Sequence, residues 1–304
     1  MYAAPPSLQA KVFARIPERF HRKGGRSAWT ETQFHGNEAP TFLEGPSFDR
    51  AGNLYVVDIP WGRIFKIAPS GEAEVAAEYD GEPNGLKFHR DGRAFIADYK
   101  NGIMVLDPKT GKVEPLLERA YLARFRGCND LVFASNGDLF FTDQGQSGLN
   151  DPTGRLYRLT ADGHLTCMLA NIPSPNGLVL NAAENIVFLA VTRDNAIWRV
   201  PFRPDGSVYK VGAFIRMSGG TGPDGMAIDR DGNIVVCHVG MGSVWLFDAL
   251  GEPMLRIRSP QGPTTTNCAY GGPENRQLFI TESTSGSILV ADMPVPGRPM
   301  YSHA

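Results

Sequence analysis

The chain has 304 residues, 42% of them hydrophobic, and a formal net charge of −2. That balance supplies a core and offers no basic surface for nucleic acid or an anionic membrane. The 34 glycines and 23 prolines lie outside any biased tract, and Cys128, Cys167, Cys237 and Cys268 form no CxxC pair, which excludes a low-complexity chain and argues against a disulfide frame.

The first residues lack the charged start and apolar core of a signal peptide. No stretch approaches the roughly 20 apolar residues of a membrane helix. The expectation is a cytoplasmic protein. Residues 1–40 hold one strand candidate, at 11–16, and then a polar stretch carrying Gly24, Gly25 and Gly36.

Beyond residue 40 the sequence repeats. An acid or amide stands just before a short apolar run at Glu44, Asn84, Asn129, Asn176, Asp224 and Asn267, with spacings of 40, 45, 47, 48 and 43. Two further columns keep phase with these anchors. Eight residues on come Gly52, Gly92, Gly137, Glu184, Gly232 and Asn275, mostly residues that accept the positive φ of a hairpin turn. Fourteen residues on come Asp58, Asp98, Asp143, Ala190 and His238, with Glu282 one place late. A period in the forties, built from short strands and Gly-rich turns, predicts an all-β six-bladed β-propeller filling residues 1–304 as one domain. Helical periodicity is not evident for more than a turn or two anywhere. The last repeat runs out near residue 291, before a fourth strand. The strand at 11–16 is expected to complete that blade and close the ring, removing two sheet edges.

Blade topology then places the chemistry. The first strand of a blade lies nearest the central channel and strands alternate in direction. The anchors and the column fourteen residues later therefore converge on one mouth. Six anchors give a ring of oxygen donors with no Cys or His among them. That set suits a hard cation: Ca²⁺ first, with Mg²⁺, Mn²⁺ or Zn²⁺ as alternatives. Taken singly, Asn84 and Asn267 read more simply as turn caps. So do Asp58, Asp98 and Asp143.

The segments Leu43-Glu44-Gly45-Pro46, Cys128-Asn129-Asp130-Leu131, Pro175-Asn176-Gly177-Leu178 and Pro223-Asp224-Gly225-Met226 together resemble the SMP-30/gluconolactonase/LRE family of six-bladed propellers. The resemblance covers roughly residues 40–292. It implies one divalent metal ion in the channel, held by Glu44, Asn176 and Asp224, with Asn129 beside metal and substrate. It implies hydrolysis of a sugar lactone or related cyclic ester, or, in the organophosphate-hydrolysing branch, of phosphotriesters. Asp224 is the expected base or nucleophile, and Asn129 would orient water or the carbonyl. Arg124 and Arg126 both answer to the arginine that family members carry before that asparagine. His238 is open to two readings, a proton shuttle near Asp224 or a hydrogen-bonded histidine inside the mouth. Gln144 and Ser147, on a long third-blade loop, are candidates for a lid over the substrate.

Three other functions remain in view. Phosphotriester or aryl-ester hydrolysis at the same metal would want aromatic walls, for which Trp61 is available. A non-catalytic binding propeller would need no acid at Glu44 or Asp224. A strictosidine-synthase-like propeller would not need the intact metal set. The expected partner is a small lactone, with no nucleic acid and no membrane.

Overall fold

The computed structural model describes residues 4–304. Four-residue periodicity is absent from most of it because the chain is built from strands whose side chains alternate between two buried faces. Leu54–Asp58 and Ala94–Asp98, for example, are buried at every position. Six antiparallel sheets follow one another along the chain. Blade one comprises Leu43–Phe48, Leu54–Asp58, Arg63–Ile67 and Ala73–Glu78. The later blades open with Pro83–Phe88, Cys128–Phe133, Pro175–Leu180, Gly222–Ile228 and Thr265–Gly271. These first strands touch their neighbours in turn, and the sixth touches the first, so they line a closed central channel.

The ring closes as expected. Lys11–Arg15 pairs antiparallel with Ser287–Asp292 and supplies the fourth strand of blade six. Ahead of it, Ser7–Gln9 adds in parallel to the edge strand Pro253–Arg258 of blade five. The chain thus binds two consecutive blades before it enters the first. Three residues are too few for alternation to announce a strand, and this one has no counterpart in the sequence reading.

Apolar side chains fill the spaces between neighbouring blades. Val57 and Ile64 of blade one meet Leu86, Ile96 and Leu106 of blade two, all fully buried. Trp29, Phe34 and Phe42 extend that layer. Trp29 sits on the one α-helix among the described residues, Ala28–Gln33, started by a capping box between Ser27 and Thr30. Six residues are under two turns, too short for periodicity to reveal. All four cysteines are free. Cys268 packs with Cys237 of blade five, and Cys128 belongs to a separate apolar cluster.

Opposite the anchor mouth, the last residues cross the channel. Arg298 donates to the carbonyls of Leu180 (3.2 Å) and Asn181 (2.9 Å) and to Glu184 (2.8 Å). Tyr301 stacks on Phe133 with ring centroids 5.0 Å apart, and the Arg90 guanidinium lies 4.4 Å from the Tyr301 ring centroid. Arg50 donates to the Ser302 carbonyl at 2.7 Å. Beneath this strap is a mainly apolar cavity of about 280 Å³, walled by Phe133, Leu178, Met226, Tyr270 and Met300. Among the described residues, no helix is long and apolar enough to cross a membrane.

Candidate active site

Each first strand is irregular at its anchor. The pairing register to the second strand shifts between Glu44 and Ser47, Pro83 and Gly85, Cys128 and Leu131, Pro175 and Leu178, Pro223 and Met226, and Thr265 and Cys268. A bulge re-aims side chains that a regular strand would alternate, and here it recurs six times at one height in the channel. The residue after the anchor is Gly in four blades because the next blade's anchor crowds it. A Cβ on Gly85 would meet the Asn129 carbonyl at 2.9 Å, and one on Gly225 would meet the Asn267 side chain at 2.1 Å.

Blade three breaks that column with Asp130. Its carboxylate reaches Asn267 of the opposite blade, whose Nδ2 donates to Asp130 Oδ2 at 3.3 Å. The same Nδ2 donates to Glu44 Oε2 at 2.8 Å. Glu44 Oε2 also accepts from the Gly45 N–H at 2.7 Å, and among the described residues Oε1 has no protein donor. Asn176 lies close enough to Asp224 to ease its ionisation, and its Nδ2 donates to Thr192 Oγ1 at 3.3 Å.

Threonine hydroxyls tie these loops to one another. Thr142 Oγ1 receives the Asp130 N–H and donates to the Asn176 carbonyl. Thr192 donates to the Pro223 carbonyl, and Thr266 to that of Leu43. The anchors are therefore fixed blade to blade.

Three buried carboxylates now share one space. Burial first, then the charges of Asp224 and Asp130, hold Glu44 well above the usual carboxylate range. Burial and the Asp130 charge push Asp224 up to about 8, against the lowering influence of the Asn176 amide and the Arg193 charge. Asp130 is raised by burial and eased by the charge of Lys87 and by hydrogen bonds from Leu131 N–H and Asn267. Desolvation and like charge act together, as expected of acids placed side by side away from water. No three acidic, histidine or cysteine side chains among the described residues cluster closely enough to hold an ion alone. A cation here would need the amides of Asn176 and Asn129 as well as the acids. That mixed oxygen set, with three acids and only partial compensation from Lys87 and Arg193, fits a hard divalent ion.

The remaining candidates occupy different places. Asn129 is buried and donates from Nδ2 to Gln144 Oε1 at 3.1 Å. Ser147, on the same loop, donates to the Gln144 carbonyl and receives the Ser174 N–H. Arg126 lies against Gly145 beside this loop, and its N–H bonds Asp143. Arg124 stands on a small outer hairpin, Arg119–Ala120 with Ala123–Arg124, facing Glu118 at 3.9 Å.

His238 is 1% exposed, and its Nε2 donates to the Gly219 carbonyl at 2.9 Å. Burial lowers its pKa, so the ring is neutral at pH 7. Asp58, Asp98, Asp143 and Glu282 make the equivalent tie with the opposite polarity, each accepting N–H groups from the loop entering its own blade. Trp61 donates to the Ala39 carbonyl and packs on Gly25, so its ring is committed to the N-terminal segment.

Asp130 is the functional candidate that sequence reasoning missed. The signal was present, since it is the one charged residue in a column otherwise of Gly and Cys. Only the bulge shows that its carboxylate reaches Asn267 of the opposite blade.

Comparison with known proteins gives the same architecture. Residues 42–284 match the family model described as the SMP-30/Gluconolactonase/LRE-like region. A protein of Staphylococcus aureus (strain MRSA252) named lactonase drp35 is 33% identical, over 72% of this chain and 70% of its own. Among solved structures, a gluconolactonase of Xanthomonas campestris superposes with a TM-score of 0.75 at 24% identity, covering 95% of this chain and 99% of that one. A calcium-binding regucalcin of Agrobacterium tumefaciens gives 0.77 at 23% identity, covering 99% of both. At those identities the structures speak for the fold.

Proposed function

The chain belongs to the SMP-30/gluconolactonase/LRE-like family, and from that premise we propose that it is a divalent-metal-dependent lactone hydrolase. The observation that carries this reading is the mutual repulsion of Glu44, Asp224 and Asp130, three buried acids in a channel that supplies them with amides and little positive charge. The lactonase name of the staphylococcal relative supports the substrate class. The calcium-binding title of the structural neighbour supports Ca²⁺ as the ion.

In this reading Glu44, Asn176 and Asp224 hold the cation, with Asn129 beside them. The bound ion would polarise the lactone carbonyl and stabilise negative charge developing on its oxygen. Asp224 takes a proton from the attacking water, whose oxygen bonds to the carbonyl carbon. The ring C–O bond then breaks, and the departing alkoxide receives that proton back from Asp224, giving a hydroxy acid. Asn129 orients the reacting groups, and Asn267 keeps Glu44 in place. Of the two arginines, Arg126 is assigned to the substrate hydroxyls, since it lies against Gly145 on the loop that carries Gln144, whereas Arg124 faces Glu118 on a separate hairpin.

The test is proton release from a panel of sugar and aliphatic lactones. Chelator-stripped protein would be assayed alone and with Ca²⁺, Mg²⁺, Mn²⁺ or Zn²⁺ restored singly. Turnover that returns only with metal is the expected result. Full turnover in stripped protein would remove the metal from the reaction, and a protein that neither binds ions nor turns over lactones would be a binding propeller.

A further inference from the structure

Gln144 does not project freely from its loop. Its backbone N–H donates to the Gly127 carbonyl at 2.8 Å, and its own carbonyl accepts the Ser147 hydroxyl at 2.5 Å. Its side-chain amide lies between two others. Oε1 accepts from Asn129 Nδ2 at 3.1 Å, and Nε2 donates to Ser174 Oγ at 3.0 Å. Ser174 has a φ of 66°, in the left-handed region, and stands two residues before Asn176. Its N–H is held by Ser147 Oγ at 3.0 Å. One glutamine therefore joins the anchor of blade three to the loop that carries the anchor of blade four.

We propose that Gln144 is a positioning residue that fixes which end of the Asn129 amide faces the ion. An amide has an oxygen end that coordinates cations and a nitrogen end that does not. With Nδ2 committed to Gln144, Asn129 Oδ1 is the end without a partner among the described residues. Were Gln144 absent, Asn129 Nδ2 would be free to turn toward the neighbouring carboxylates, which accept hydrogen bonds and repel Oδ1. The outer amide thus prevents a local interaction from closing off an oxygen donor. Partners behind a ligand typically govern metal affinity by about 10–100-fold. This rests on the reading of the channel as a metal site.

The test is a double-mutant cycle read by calorimetric titration with Ca²⁺ alone. Gln144→Met keeps the side-chain length and removes both hydrogen bonds. Asn129→Asp replaces the amide with a group that presents oxygen whichever way it turns. Gln144→Met should weaken Ca²⁺ binding about tenfold in the parent and less than twofold in the Asn129→Asp background. A purely structural role would weaken binding equally in both backgrounds, and that result overturns the proposal, as does an unchanged affinity in the parent. If the parent binds no Ca²⁺, Mg²⁺ or Mn²⁺ at all, the metal-site reading falls and takes this role with it. A parent that binds Ca²⁺ as tightly as its Gln144→Met variant removes only the role of Gln144.

Discussion

Asn267 and Glu44 lie 223 positions apart in the chain and are joined by a hydrogen bond of 2.8 Å. The first and last anchors are thus side by side, and the same amide nitrogen also reaches Asp130. Asn267 serves two buried acids with one N–H group each. Asn267→Ala should therefore lower stability by about 1–3 kcal/mol through the carboxylates it leaves short of a donor. Urea denaturation would measure this. Lactone turnover should fall far less than when Asp224 is removed.

Asp224 is expected to be indispensable to turnover. Asp224→Ala and Asp224→Asn should each reduce kcat by about 10²–10⁴, the range for losing a positioned acid–base group. Calorimetry should show weaker Ca²⁺ binding in both variants. Activity equal to the parent in either would sink the assigned role.

The electrostatics of the channel make a pH prediction for metal-stripped protein. The Asp224 pKa is about 8 in the folded chain, against about 3.9 for a free carboxyl. Between these values the folded state binds more protons than the unfolded state, so stability falls as pH rises and levels off above about 8. Asp224→Asn cannot titrate. Its stability relative to the parent should therefore increase from pH 4 to pH 8 in denaturant titrations. A saturating divalent ion should flatten the parent's slope, and ion binding should release protons most strongly near neutral pH. A parent and variant with parallel pH profiles would rule out the burial of charge described here.

At the other mouth, Arg298 holds the strap through two carbonyls and Glu184. Arg298→Ala should cost about 1–3 kcal/mol of stability, since those groups lose a charged donor. Turnover should be unchanged, because the strap and the anchors lie at opposite ends of the channel. Loss of activity in a folded Arg298→Ala variant would mean that the two mouths communicate.

The ring was legible because a propeller repeats its chemistry. Anchor, turn residue and strand-end acid recur in phase, so each blade corroborates the others, and the unfinished sixth repeat points to the strand at Lys11–Arg15. What departs from the repeat was harder to read. Asp130 is a single exception within its column, and its reach to Asn267 depends on six bulges acting at one height. His238 replaces an acid, yet performs the same tie by donating where the acids accept. The strap after residue 296 has no periodicity, and its partners are scattered over several blades. Gln144 stands on a loop whose length suggested a lid, and its bonds turn inward to Asn129 and Ser174.

The closing strand also sets an order on the making of the protein. Lys11–Arg15 leaves the ribosome roughly 270 residues ahead of its partner Ser287–Asp292. At about 5–20 residues per second, that strand waits roughly 14 to 54 s for its sheet. Ser7–Gln9 waits almost as long for blade five. During that interval the nascent chain carries an unpaired strand, while blades one to four can assemble behind it. Two such rings growing on one message could exchange these leading strands and emerge as a linked pair. Synthesis rate and dilution, as well as sequence, would then govern how much of the product is a self-closed ring.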